Sequence, residues 1–186
     1  MVSSLPAIAE RLGADERSLR RAAARGVVRC TRPTPRGLDV EPGEIDYLVN
    51  HWDLLSRLTS ALRTEPNVEL AVLYGSQARG TDHAGSDVDV LVDFRDEEVG
   101  AVSRLARRLQ AQVGREVDVA RLSRVRRQAP LLVLQVIDEG RPLVDRADAW
   151  PVLRAQRETV ARGARRQMTR LRREASQSVD EVLKGL

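Results

Sequence analysis

The residues that could carry out chemistry begin with two aspartates separated by one valine in SDVDVLVDF, residues 86–94. Successive side chains of an extended segment point to opposite faces, so Asp87 and Asp89 project together while the intervening valines pack away from them. The segment EVDVARL, residues 116–122, repeats this alternation around Asp118. If the two segments are neighbouring strands about 4.8 Å apart, the three carboxylates converge at one place.

Converging carboxylates are stabilised by a bound cation. Three such groups in a partly dry cleft repel one another, and a divalent ion is the usual remedy. Magnesium prefers oxygen ligands and completes its coordination shell with substrate phosphates. Two ions about 4 Å apart can activate an attacking oxygen and stabilise a leaving oxygen during in-line displacement. The aspartates therefore predict magnesium-dependent phosphoryl chemistry.

A tight polar turn, GSQARG, precedes these aspartates, with Ser76 eleven residues before Asp87. Gly75 leaves room for the backbone to approach a ligand, and Ser76 offers a hydroxyl and an N–H at the start of a short helix. Arg79, one helical turn later, could reach a phosphate or hold the turn in place. We predict a phosphate-binding turn here, and we include Ser86 among the nucleotide-binding residues.

Alternating strands and helices are needed to position these groups. Short apolar runs typical of strands occur at VELAVLY, DVDVLVDF and EVDVARL, and an amphipathic helical segment, EVGAVSRLARRLQAQV, separates the last two. A buried helix in APLLVLQVIDEG and a final strand in RPLVD follow. This order predicts an α+β fold for residues 64–146, with helices packed against a sheet.

Helical segments flank that unit. The pattern of residues 1–43 predicts two short helices, the second capped by Asp15 and Gly26. A small hairpin or wing is expected to follow them. A helix over residues 44–63 links this unit to the next one. Residues 147–186 predict one long amphipathic helix, because apolar residues recur every three or four positions from Val160 to Leu186. We expect this helix to pack on the chain's own body or on a partner.

The first unit resembles a winged helix-turn-helix and is locally basic, with eight arginines and three acids in residues 10–38. Its second helix is the candidate recognition helix. The candidate DNA-binding residues on it are Arg17, Arg20, Arg21 and Arg25. A structural or dimerising role for the unit is the alternative.

Composition limits the class of protein. Apolar residues make up 42% of the 186 residues, but no apolar run approaches the roughly 18 residues of a membrane span. The N-terminus lacks the pattern of a secretory signal. The single cysteine, Cys30, cannot form an internal disulfide, and no Cys/His cluster suggests zinc. We expect a cytoplasmic protein without membrane association.

Together, GSQARG, SDVDVLV and VDV resemble the nucleotidyltransferase superfamily that includes DNA polymerase β, and in particular its minimal nucleotidyltransferase branch, over about residues 65–145. The resemblance implies a mixed sheet with helices on one side, two magnesium ions, ATP as substrate, and transfer of AMP to a hydroxyl with release of pyrophosphate. Asp87 and Asp89 would bind both metals. Asp118 would bind the catalytic metal and help to deprotonate the acceptor.

Members of this branch pair with HEPN-type toxins, which implies an antitoxin that adenylylates a tyrosine of its partner and represses its own operon if residues 1–43 bind operator DNA. Three alternatives stay open. They are a small-molecule transferase similar to aminoglycoside nucleotidyltransferases, a tRNA nucleotidyltransferase, and a non-catalytic DNA-binding antitoxin. The last has no need of three converging carboxylates, and the first generally needs a larger C-terminal domain.

Overall fold

The computed structural model describes the backbone of residues 5–34 and 37–184 and the side chains of residues 5–31 and 39–173. The first elements are two helices, α1 (Leu5–Arg11) and α2 (Glu16–Arg25). The Asp15 side chain accepts the Ser18 N–H at 2.9 Å, and Gly26 ends α2 in the left-handed conformation with φ 81°. The predicted helix pair and both of its caps are confirmed.

An antiparallel pair of short strands, β1 (Thr31–Thr34) and β2 (Gly37–Asp39), follows α2. The expected hairpin is therefore present, although its turn at residues 35–36 lies outside the described residues. The linking helix is α3 (Pro42–Arg63), which begins two residues earlier than expected because proline is well suited to the first helical turn. Its apolar stripe packs inward, with Leu48, Leu58 and Leu62 fully buried.

The central sheet contains β3 (Val68–Tyr74), β4 (Val88–Phe94), β5 (Val117–Arg121) and β6 (Arg141–Asp145). Its strand order is β5-β4-β3-β6, and β4 and β5 are parallel while the other neighbours are antiparallel. All four strands were predicted from the apolar runs. Helix α5 (Ala101–Val113) connects β4 to β5, as a parallel pair requires.

Helices cover both faces of this sheet, so the expectation of helices on one side is wrong. On one face Val88, Val90 and Val92 pack in a core shared with α3 and α5. On the other face Leu70, Val72 and Leu91 pack in a second core with α6 (Leu122–Gln128) and α7 (Pro130–Glu139). The central strands are apolar on both faces. A helical layer on one side only would leave the opposite apolar face exposed to water.

The predicted C-terminal helix is divided in two at Gln156, giving α8 (Ala149–Ala155) and α9 (Arg157–Lys184). The division arises because α8 packs on β3 and β6, whereas α9 packs along α7. Ala164 is 1% exposed, but Met168 and Leu171 further along α9 are 36% and 48% exposed. The rest of the predicted apolar stripe lies beyond the described side chains.

A buried ion pair connects the N-terminal elements to the sheet. Arg141 is 2% exposed and donates to both carboxylate oxygens of Glu44, at 2.6 and 2.9 Å. It also donates to the carbonyl oxygens of Ala78 and Val27, each at 3.0 Å. The ring of Tyr47 covers the guanidinium, whose carbon lies 3.5 Å from the ring centroid. One arginine thus ties together four separate parts of the chain.

Within the described residues, no helix has both the length and the apolarity that a membrane crossing requires.

Candidate active site

A row of polar side chains crosses the sheet where β3 ends. Tyr74 of β3 is paired in register with Asp89 of β4, and Asp89 is paired with Asp118 of β5. Asp87 lies immediately before β4 and two positions from Asp89, so it belongs to the same side. The structure therefore brings the three predicted carboxylates to one end of the sheet.

The ionisation behaviour of this row reflects how close its members are. Partial burial raises the pKa of Asp89, and the negative charges of Asp118 and Asp87 raise it further. Burial, together with the charges of Asp89 and Asp118, raises the pKa of Tyr74 to about 12. Asp87 and Asp118 are exposed, so the row is open to a large ligand. This is a local excess of negative charge that a cation would relieve.

The predicted turn forms the short helix α4 (Gly75–Arg79), which starts directly after β3. Gly75 has a φ of 73°, in the region that favours glycine. A Cβ at this position would overlap Asp89 Oδ2. Gly75 is therefore required both by the backbone conformation and by the close approach of the half-buried carboxylate, and it places α4 beside the aspartates.

Arg79 and Ser86 are held by neighbours at the edge of this site. The Arg79 guanidinium lies 2.8 Å from Glu139 at the end of α7. Its charge also acts on Asp89, whose pKa it lowers slightly against the larger opposing effects. Ser86 Oγ accepts the His83 N–H at 3.0 Å and so closes the loop that leads to Asp87.

A second polar contact anchors the other end of this loop and was not predicted. His51 Nδ1 lies 2.8 Å from the Tyr47 carbonyl, and His51 Nε2 lies 2.6 Å from Asp82 Oδ1. Both partners present acceptor oxygens, so the His51 ring fixes the position of Asp82 relative to α3. The ring also stacks on Tyr47 at 4.3 Å. No local pattern indicates this pair, because its members are 31 positions apart.

The donor set suits magnesium in kind, since Asp87, Asp89 and Asp118 supply only carboxylate oxygens. Burial first, and then the charges of Asp118 and Asp87, raise the pKa of Asp89, and a bound divalent cation would favour its ionised form. Among the described residues, no group of three His, Cys, Asp or Glu side chains has an arrangement that could hold a metal ion.

The four arginines proposed for DNA binding are all exposed on α2. Arg20 pairs with Glu16 one turn earlier, at 2.6 Å. Arg21 and Arg25 line a cavity between α2 and α3, whereas Arg17 is not among its lining residues. Two of these arginines therefore lie at the cavity, and the other two lie outside it.

Comparison with known proteins gives one family. The family model described as Polymerase beta, Nucleotidyltransferase matches residues 56–149, slightly more than half of the chain. No curated protein matches the sequence.

Several solved structures are similar to the chain. A crystal structure of a toxin-antitoxin with AMP-PNP is 24% identical, with a TM-score of 0.49, and the match covers 69% of this chain and 98% of that one. A rebuilt structure of a tri-AMPylated Shewanella oneidensis HEPN toxin in complex with an MNT antitoxin is 21% identical, with a TM-score of 0.45 and coverage of 69% and 95%.

Proposed function

This chain belongs to the polymerase beta nucleotidyltransferase family, and from that membership we propose that it transfers AMP from ATP to a hydroxyl group with the help of magnesium. The observation that carries the proposal is the register of β4 and β5, which sets Asp89 opposite Asp118 with Asp87 beside them. Gly75 lies against this row and starts α4 next to it. Nucleotidyl transfer needs carboxylates that bind metal ions and a turn that binds phosphates, and this arrangement offers both.

In the proposed reaction the acceptor oxygen attacks the α-phosphorus of ATP. A new P–O bond forms, the bond to the β-phosphate breaks, and pyrophosphate leaves. Asp118 accepts the proton of the acceptor hydroxyl, since its side chain is exposed at the open end of the row. Asp87 and Asp89, with Asp118, would hold two magnesium ions, whose charge would neutralise the phosphates and activate the attacking oxygen. Backbone N–H groups at the start of α4, with Ser76, would bind the phosphates.

The acceptor in this proposal is a partner protein, a HEPN-type toxin, with this chain as its antitoxin. Two features of the site support a large acceptor over a small molecule. Asp87 and Asp118 are exposed, and the chain after β6 supplies only α8 and α9 within the described residues. An open row of carboxylates admits a hydroxyl that projects from another folded protein.

The test uses ATP labelled on its α-phosphate, magnesium and the HEPN-type protein encoded by a neighbouring gene. We expect label on the partner, and loss of at least about a hundredfold in rate for Asp89→Asn. Asp93→Asn is the matched control, because Asp93 lies on the same strand four pairs beyond the row. Equal labelling by wild type and Asp89→Asn would refute the proposed site.

We propose operator binding as an accompanying role of α2, through Arg17 and Arg20 on its exposed side. The full chain should bind its own promoter with an affinity that falls steeply as salt rises, because phosphate contacts release counterions. Arg17→Ala with Arg20→Ala should weaken that binding. Absence of binding by wild type at low salt would exclude this role and leave the transferase proposal intact.

A further inference from the structure

We propose that the cavity between α2 and α3 binds a small nucleotide with two or more phosphate groups, at a site separate from the carboxylate row. The cavity has a volume of about 320 Å³. Small-ligand pockets range from about 300 to 1,000 Å³, so one nucleotide fits. None of its lining residues belongs to the candidate active site.

Three arginines give this cavity its charge. Arg21 and Arg25 enter it from α2, and Arg63 enters from the end of α3. Within the described part of the chain, none of the three has an ion pair or a side-chain hydrogen bond to another residue. Partial burial, followed by the charges of Arg63 and Arg21, lowers the pKa of Arg25. Three unneutralised like charges around one concavity are unfavourable by themselves, and a polyanion would neutralise them.

The other lining residues match the rest of a nucleotide. Trp52 and Leu55 provide an apolar wall, and Trp52 is only partly buried. A planar base can lie against such an indole. Ser56, Thr59 and Ser60 add hydroxyl groups along the same side of α3. Arginines for phosphates, an indole for a base and hydroxyls for a sugar together favour an amphipathic ligand over inorganic phosphate.

The shape of the cavity favours a small molecule over duplex DNA. Arg21 and Arg25 line one side of this concavity and α3 lines the other, and its volume suits one small molecule. These arginines are also exposed to solvent, so the choice between the two ligands rests on the small size of the concavity. The proposal does not depend on the transferase activity, since it concerns a different part of the molecule.

The experiment follows the fluorescence of Trp52 in the full-length Trp150→Phe protein, in which Trp52 is the sole remaining tryptophan. ADP is titrated in the presence of EDTA, so that metal-dependent binding at the carboxylate row does not contribute. We expect a saturable change in emission. Arg25→Gln with Arg63→Gln should weaken binding by roughly tenfold or more, because charged hydrogen bonds to phosphate are lost. Arg17→Gln, on the same helix but outside the cavity, should leave the affinity unchanged.

Thermal unfolding gives a second readout. Because the three arginines repel one another, Arg25→Gln should unfold at the same temperature as wild type or higher while losing ADP affinity. Four outcomes would overturn the proposal: no saturable change at millimolar ADP, an equal response in the double arginine variant, binding of pyrophosphate as tight as that of ADP, or a response to a duplex oligonucleotide without one to ADP.

Discussion

Gly75 combines two constraints that can be separated by mutation. Gly75→Ala places a Cβ on Asp89 Oδ2 and also imposes a left-handed φ of 73° on alanine. Gly114 has a similar φ of 71°, but a Cβ at that position would have no neighbour within 4 Å. Both variants should lose about 1–2 kcal/mol of stability from backbone strain.

Only Gly75→Ala should also displace Asp89 and abolish nucleotidyl transfer. Thermal unfolding and the labelling assay, applied to both variants, check this prediction. Equal activity in the two variants would mean that the contact with Asp89 is unimportant.

The raised pKa of Asp89 predicts that this residue costs stability. Ionisation of Asp89 is unfavourable in the folded state, owing to burial and the charges of Asp118 and Asp87. Asp89→Asn should therefore raise the Tm of the metal-free protein at neutral pH. The difference should vanish as pH falls below the pKa of unfolded aspartate, about 3.9, where both proteins carry a neutral group.

Added magnesium should raise the Tm of wild type and leave that of Asp89→Asn nearly unchanged. Calorimetry with EDTA and with magnesium across this pH range provides the measurement. A lower Tm for Asp89→Asn in EDTA would contradict the electrostatic account of the site.

At the scale of elements, the ion pair of Arg141 and Glu44 holds α3, α4 and β6 together. Glu44→Ala would leave a buried guanidinium without its counter-charge, and breaking such a pair costs about 3–5 kcal/mol. The exposed pair of Arg57 and Asp53 is the control, because surface pairs contribute at most about 1 kcal/mol. Urea unfolding of Glu44→Ala and Asp53→Ala measures both. Similar losses in the two variants would remove the structural role assigned to Arg141.

The contact between α3 and the loop before β4 predicts a dependence on pH. Burial raises the pKa of Asp82, but the hydrogen bond and charge of His51, a backbone hydrogen bond and the charge of Arg115 together outweigh it, so the net shift is downward. The contribution of Asp82 to stability is therefore present above the unfolded pKa of about 3.9 and lost as pH falls through the lower folded value.

Asp82→Asn should lower stability by about 1.5–3 kcal/mol near neutral pH, and less as the solution becomes acidic. Asp46→Asn, at an exposed pair with Arg11, is the control. A constant difference between Asp82→Asn and wild type from neutral to acidic pH would exclude the proposed linkage.

Local pattern was sufficient for most elements and for part of the site. Alternation of apolar and polar residues predicts β4 and β5, and it places Asp87, Asp89 and Asp118 on matching faces. Long-range pairing was not predictable, because nothing near Arg141 indicates a partner 97 positions away. The pairing of Arg79 with Glu139 spans 60 positions and was missed for the same reason. Helix α9 likewise separates from α8 through tertiary packing, which periodicity does not encode.

At the scale of the whole molecule, apolar side chains become more exposed along the described part of α9. Leu153 in α8 is 1% exposed, and Leu171 in α9 is 48% exposed. Leu153→Ala should cost about 2–5 kcal/mol, and each kcal/mol lowers the Tm by about 2–4 °C in a chain of this size. Leu171→Ala should leave the Tm nearly unchanged. A large loss in Leu171→Ala, measured at low protein concentration, would show that this side chain is covered in solution.

The partnership of Arg141 and Glu44 also constrains how such a chain can evolve. Recombination with a distant homologue at any point between the two positions would separate a cation from the anion that matches it. The hybrid protein would lose a large fraction of the free energy of unfolding of a typical domain. Viable crossovers should therefore fall outside this interval, so that α3 and strands β3, β4 and β5 are inherited together with Arg141.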